Sequence, residues 1–599
     1  MFYQSDETMD NPKTSSWKIL KEAGVLIIKS SLTFLVLLWL LTRCQPTGQP
    51  TATREAPPFG QAPAATSPPV PEGGKKVRPV SPEIIMVPDE EEVEEVTIDL
   101  DIEMAAPEEP AIVLEEAPQE EVGDMAADFN TEEYDRIYEN EFQKVWEHPL
   151  STFSIDVDHA SYSNVRRYLT QYHELPPPDA VRIEELINYF HYDYPAPAGA
   201  HPFTLTTEVA ACPWNPAHQL LHVGLQGQPL DYQDIRPSNL VLLLDVSGSM
   251  NEPSKLPLVK KSFRMLVNAL DDQDQVAIVV YAGAAGVVLP PTAAREKAAI
   301  EGALARLSAG GSTAGGEGIE LAYRMAEEHF IPNGNNRVIL ATDGDFNVGT
   351  SSTSDLVRLI EEKRQKGIYL TICGFGMGNY KDGRMEQISN AGNGNYFYID
   401  NVQEAEKVFV REMRANLFTI AKDVKLQLEF NPTRIKEYRL IGYENRTLAR
   451  EDFDNDQKDA GELGAGHTVT ALYELIPANP AEALTADASL QYQQNVLTAQ
   501  ASSEDLLTLK LRYKPIGSDS SVLLVQRVAP SEGADAILSD NFRFSAAVAS
   551  FGMLLRRSAY VNGWSWKDVR QLAKSSHPEG NHDREAFIDL VNTASLLTN

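Results

Sequence analysis

Asp245-Val246-Ser247-Gly248-Ser249 sets a carboxylate and two hydroxyls at alternate positions of one short stretch. Alternate side chains of a tight turn converge on a small volume, and Gly248 allows the close backbone such a turn needs. Two other stretches carry matching groups. Gly310-Gly311-Ser312-Thr313 adds a third hydroxyl, and Thr342-Asp343-Gly344 adds a second carboxylate. Donors of this hardness suit magnesium, calcium or manganese and not zinc. Two carboxylates balance a divalent ion while hydroxyls add no charge, so such an ion would complete its shell with water or an outside oxygen ligand. Taken alone, D-x-S-x-S also fits a turn that hydrogen-bonds its own backbone. Thr313 and Asp343, at the ends of correctly ordered elements, favour the cation site.

The elements that must position these groups are legible around them. Leu240 to Leu244 is a continuous apolar run, the pattern of a strand buried on both faces, and it ends at Asp245. Val259, Phe263, Leu266, Val267 and Leu270 mark an amphipathic helix after it. Strands follow at Gln275 to Tyr281 and Gly286 to Leu289, then helices at Ala298 to Leu307 and Ile319 to His329. Arg337 to Ala341 is a second apolar strand and leads into Asp343; Ile368 to Cys373 and Asn395 to Ile399 are further strands, with helices at Leu356 to Lys366 and Glu404 to Arg414. This alternation predicts a doubly wound, mostly parallel α/β sheet, whose ligands bind beyond the carboxyl ends of the strands.

The flanks have a different period. Before the sheet, Glu139 to Val145 suggests a short helix, Thr152 to Val157 a strand, and Arg166 to Tyr172 and Ile183 to Phe190 helices; Phe203 to Val209 and Leu220 to Leu225 read as strands. After it, Val424 to Phe430, His467 to Glu474 and Leu506 to Tyr513 alternate as half-buried strands. Asn541 to Leu555, Trp566 to Leu572 and Arg584 to Leu597 are helical. We expect the strands on either side to pack together, so that the α/β layer is inserted in, or flanked by, a β-rich support with a helical C-terminus.

The D-x-S-x-S motif with Thr313 and Asp343 resembles the metal-ion-dependent adhesion site of von Willebrand factor A domains, across roughly residues 237 to 417. The wider chain, with its Tyr134 to Tyr194 segment and its C-terminal extension, is similar to bacterial A-domain lipoproteins of uncharacterised function. The resemblance implies that Asp245, Ser247, Ser249, Thr313 and Asp343 hold a divalent cation, Mg2+ or else Ca2+ or Mn2+. It also implies that the outside ligand is a Glu or Asp of a partner protein. The expectation is a binding module and not an enzyme. The rivals are a metal-dependent hydrolase and a structural envelope protein with a silent site. A hydrolase would need a general base; the three loops hold no His or Lys, and Glu317 is more simply a first-turn helix acid.

The N-terminus reads as a targeting segment. Lys13, Lys18 and Lys21 precede an apolar run from Leu32 to Leu41, shorter than the roughly 20 residues of a spanning helix. Leu41-Thr42-Arg43-Cys44 resembles a bacterial lipobox, which implies acylation of Cys44; Arg43 stands where a small residue is usual, so an uncleaved signal anchor is the alternative. Either way the expectation is a membrane-anchored, extracytoplasmic protein of a bacterial envelope. Residues 45–130 read as a disordered spacer, Pro-rich and then acidic. The expected order is thus signal or anchor (1–44), linker (45–130), α+β segment (131–236), A domain (237–417), β-rich segment (418–530) and helical C-terminal region (531–599).

Composition agrees. Of 599 residues 43% are hydrophobic, ample for a large core. The net charge of -34 is concentrated: 21 Asp and Glu lie between Arg78 and Arg136 with no basic residue among them. Such a chain offers no general attraction to nucleic acid. Three cysteines, Cys44, Cys212 and Cys373, supply no disulfide framework. Asp156-Val157-Asp158-His159 mimics a second cation loop but reads better as a helix start, and Gly374-Phe375-Gly376-Met377-Gly378 as a strand-to-helix turn without dinucleotide spacing.

Overall fold

The computed structural model describes residues 132–598, apart from 156–157, 231–235, 313–314, 345, 347–352, 379, 480–495, 531–537, 562 and 577–579. The expectations for the targeting segment, Cys44 and the linker lie outside the described residues.

The first part of the chain contributes β1 (Gln143–Lys144), β2 (Leu150–Ser154), α1 (Ala160–Arg167), α2 (Ile183–Asn188), β3 (Phe203–Cys212) and β4 (Asn215–Gly227). The middle runs β5 (Ser238–Asp245), α3 (Leu256–Ala269), β6 (Gln275–Tyr281), β7 (Ala285–Ala293), α4 (Lys297–Arg306), α5 (Gly315–Glu328) and β8 (Asn335–Thr342). It continues with α6 (Thr353–Gln365), β9 (Ile368–Phe375), α7 (Asp382–Ala391), β10 (Tyr396–Ile399), α8 (Val402–Glu406) and α9 (Met413–Leu417). The last part holds β11 (Thr419–Phe430), β12 (Ile435–Ile441), β13 (Gly461–Gly464), β14 (Thr468–Pro477), β15 (Leu507–Pro515), β16 (Val522–Val528), α10 (Asp540–Arg556), α11 (Trp566–Ser575) and α12 (His582–Thr598).

The middle part is the expected α/β layer. Its sheet has the order β10-β9-β8-β5-β6-β7, parallel except for β7, which returns antiparallel to β6. Every residue of β5 and β8 is buried, because helices cover both faces. The chain moves outward from β5 through β6 and β7, then crosses back to lay β8 on the other side of β5. Strand order therefore reverses between β5 and β8, the position where such sheets bind ligands.

The flanking strands form two antiparallel sheets. One has the order β1-β12-β14-β4-β3, joining strands from before and after the α/β layer; β14 runs against β4 from Thr468 opposite Gln226 to Leu475 opposite Gln219. The other contains β13, β11, β15 and β16, with β2 also on β11. Their inner faces share one core in which Phe203, Val209 and Val223 meet Leu426, Leu428 and Phe430. The outer face of the first sheet is covered by α10, α11, α12 and the α1–α2 segment, with Leu220 and Leu472 against Phe544, Phe551 and Phe587. The α/β layer is thus spliced into a helix-backed β-sandwich.

One expected element is absent. Glu139 to Val145 forms no helix: Gln143 and Lys144 pair with Tyr438 and Glu437, and Phe142 packs edge-on to Tyr560. Sheet pairing and aromatic packing override the local helical spacing there.

Candidate metal centre

Asp245 is the last residue of β5, and Asp343 follows the last residue of β8, so adjacent strands deliver both carboxylates to the reversal point. Both are buried, at 1% and 0% exposure. The D-x-S-x-S stretch turns as expected: the Ser247 amide donates to Asp245 Oδ1 at 2.8 Å, and the Ser247 and Ser249 hydroxyls share a hydrogen bond at 3.1 Å. Ser247 is buried and Ser249 exposed, so the cluster opens toward solvent on the serine side.

The glycine loop is tied to this turn. Gly248 N donates to Gly311 O at 3.0 Å and Gly310 N to Val246 O at 2.8 Å. Gly311 takes φ +88°, a conformation a side chain would strain. The loop is therefore held against Asp245 up to Ser312; Thr313 itself lies outside the described residues. Of the five expected ligands, Asp245, Ser247, Ser249 and Asp343 sit at one sheet edge.

Whether the residues suit a cation turns on Asp245. Oδ1 is satisfied by Ser247, while Oδ2 is buried and makes no well-formed hydrogen bond; the buried Tyr281 hydroxyl lies close enough to the carboxyl to favour its ionised form without meeting hydrogen-bond geometry. A lone buried carboxylate oxygen is costly unless an ion or donor meets it. Burial pushes the Asp245 carboxyl up to about 6, the Ser247 hydrogen bonds oppose this, and the Asp343 carboxylate adds to the rise. Two neighbouring acids in a buried pocket with hydroxyls beside them fit a hard divalent ion.

One residue is a surprise. Lys255, at the N-terminal boundary of α3, is 3% exposed and places Nζ 3.1 Å from Asp343 Oδ2. The three loops hold no Lys, yet the helix after the first loop brings one to the second acid. The only signal in the sequence was proximity: a short turn after Asp245 leaves the start of the next helix facing back over the site. Glu317 is exposed in the first turn of α5, as a helix-terminal acid should be.

The loop after β9 backs this lysine. Gly376 has φ +80°, and a Cβ there would fall 2.4 Å from Lys255 Cε and 2.5 Å from Cγ. Gly378 N donates to Glu132 Oε1 at 3.0 Å, and Glu132 is held by Arg167 at 2.6 Å. Of the glycines read from the sequence as a strand-to-helix turn, Gly376 thus leaves a slot for the lysine's aliphatic stem, while Gly374 makes room for Tyr380.

Asp158 is not part of a cation loop. Its Oδ1 accepts from Tyr396 N at 2.8 Å and its Oδ2 from Arg446 at 3.0 Å. Ligand oxygens of Asp158, Glu185 and Glu386 lie within 4.8 Å of one another, but Arg182 and Arg446 reach into the same cluster and supply its positive charge. His159 precedes α1 without a capping hydrogen bond from its side chain. Cys212 and Cys373 are buried, and burial pushes Cys212 up to about 12, so neither is a reactive thiol.

Comparison with known proteins bears on the family and the fold. The model of the von Willebrand factor type A domain matches residues 239–411, that of von Willebrand factor matches 128–222, and that of "Uncharacterized protein YfbK, C-terminal" matches 415–597. The chain is 42% identical over 479 residues to "Uncharacterized protein YfbK" of Escherichia coli (strain K12), covering 78% of this chain and 82% of that protein. Among solved structures, BatB from Bacteroides thetaiotaomicron is 26% identical, covering 29% of this chain and 97% of its own, with a TM-score of 0.26. A von Willebrand factor type A protein from Catenulispora acidiphila is 16% identical and covers 77% of this chain and 91% of its own, with a TM-score of 0.38.

Proposed function

The chain belongs to the YfbK family of von Willebrand factor type A domain proteins, and from that premise we propose that it is a protein-binding module. It captures a Glu or Asp of a partner protein through a divalent cation, Mg2+ or else Ca2+ or Mn2+, held by Asp245, Ser247, Ser249, Thr313 and Asp343. The carrying observation is the buried, unpartnered Asp245 Oδ2 beside two hydroxyls and a second acid at the strand-order reversal. A bound cation supplies a Lewis-acidic centre with a coordination position left for an outside oxygen.

The residues divide the work. Asp245 and Asp343 carry the charge that attracts the ion. Ser247 orients Asp245 through its amide and, with Ser249, offers neutral oxygen, so the centre keeps affinity for an anionic ligand. The exposed Ser249 side is where a partner side chain would approach.

Titration calorimetry with magnesium tests this. Asp245→Ala should bind at least about tenfold more weakly, with far-UV circular dichroism unchanged; undiminished affinity would refute the reading. A pull-down from detergent-solubilised membranes, with magnesium and again with EDTA, tests capture itself.

The membrane-tethered, extracytoplasmic placement is part of this proposal and rests on the sequence around Cys44. Among the described residues no helix is long and apolar enough to cross a membrane. The metal-dependent hydrolase reading gains one observation, Lys255 at Asp343, but the ammonium is engaged with that carboxylate and so is not a free base. A turnover assay on phosphoesters and esters separates the two.

A further inference from the structure

We infer that Lys255 is an internal counter-cation of the metal centre, weakening the grip on the cation and strengthening the grip on the anionic ligand. The inference rests on the cation-binding reading above and concerns how that site is tuned.

The lysine is built in. Its side chain is 4% exposed and its Nζ lies 3.1 Å from Asp343 Oδ2; among the described residues the other acid in ion-pair range is Glu252, exposed and 3.7 Å away. The aliphatic stem runs over Gly376, at a position where even a methyl group would collide with it. That loop is fixed in turn by Glu132, which accepts from Gly378 N and from both terminal nitrogens of Arg167. A surface lysine that merely folded onto an acid would need no such slot.

Charge arithmetic gives the consequence. Two carboxylates and one ammonium sum to a single negative charge; a divalent ion turns this into a single positive charge, and a ligand carboxylate brings it to neutrality. Without the ammonium, the loaded centre would be neutral and the liganded one negative. Buried charges a few ångströms apart are weakly screened, so these differences are felt. The lysine therefore opposes the first binding step and favours the second, and replacing it must move the two affinities in opposite directions. Loss of packing alone would weaken both.

The test uses the full-length chain in detergent and three variants: Lys255→Met, which keeps a stem in the slot, Lys255→Gln, which serves if the first fails to fold, and Lys255→Arg. Magnesium affinity is read by titration calorimetry. Carboxylate affinity is read with acetate as the probe, through the fall in water-proton relaxation as acetate displaces water from manganese-loaded protein. Lys255→Met or Lys255→Gln should bind magnesium about tenfold tighter and acetate about tenfold more weakly, the lower end of what a neighbouring unit charge does. Lys255→Arg should stay near the parent in both. Magnesium binding by Lys255→Met where the parent shows none would also support the inference. If the parent binds magnesium and the neutral variants bind it no tighter, the counter-cation role is wrong while the metal site stands. If neither the parent nor the neutral variants bind magnesium, the metal-site reading fails and takes this inference with it.

Discussion

A carboxylate buried with one oxygen unsatisfied costs stability, and Asp245 bears that cost in the absence of a cation. Burial raises its carboxyl to about 6, so at neutral pH the group is still mostly ionised, and holding that charge in the fold costs stability relative to the unfolded chain. Removing the charge should relieve it. In EDTA, Asp245→Asn is expected to be more stable than the parent by about 1–2 kcal/mol, read as a higher Tm by calorimetry, and magnesium should raise the Tm of the parent alone. A lower Tm for Asp245→Asn would mean that the carboxylate has a structural partner. On the proposed reading the residue trades stability for affinity, as site residues commonly do.

Between elements, the α/β layer is held to its support by a buried ionic seam. Arg182, before α2, bonds Asp382 at the start of α7 and Glu185 of α2, while Arg446 reaches Asp158 and Glu386 at 3.0 Å. Deleting one cation strands several acids in the interior. Arg182→Met should lose about 3–5 kcal/mol in urea unfolding, far more than an exposed Arg such as Arg358; a loss below about 1 kcal/mol would show that water reaches the seam. Little of this was legible in the sequence, because only Arg182–Glu185 is local: Arg446 and Glu386 are 60 positions apart, Arg182 and Asp382 200, and Arg446 and Asp158 288. What was legible is the set of strands buried on both faces: Leu240 to Leu244 and Val338 to Ala341 announce themselves as apolar runs, and the acids that end them follow. Lys255 was hidden because a lysine at a helix start ordinarily lies in solvent, and only the 88-residue-distant Asp343 gives it a reason to be inside. Strand β12 was missed since its inward residues belong to a sheet completed by β14 and β4, far along the chain.

For the molecule as a whole, two buried histidines, His159 and His222, and the half-buried His467 set the acid limit. Desolvation holds His222 and His467 down at about 4, and holds His159 well below its ordinary value; the His159 and His467 rings meet edge-on with centroids 5.6 Å apart. Unfolded imidazoles take up protons near about 6.5, so the depressed folded values leave stability complete above that pH and drain it as pH falls toward about 4. The Tm should drop steadily across this window, and His467→Gln should flatten the slope; an unchanged slope would assign the acid loss to other groups. The α/β layer leaves one sheet of the sandwich at β4 and rejoins the other at β11. If the site holds a partner as proposed, a pull on it reaches the sandwich through two crossings, one to each sheet, and not through a single hinge.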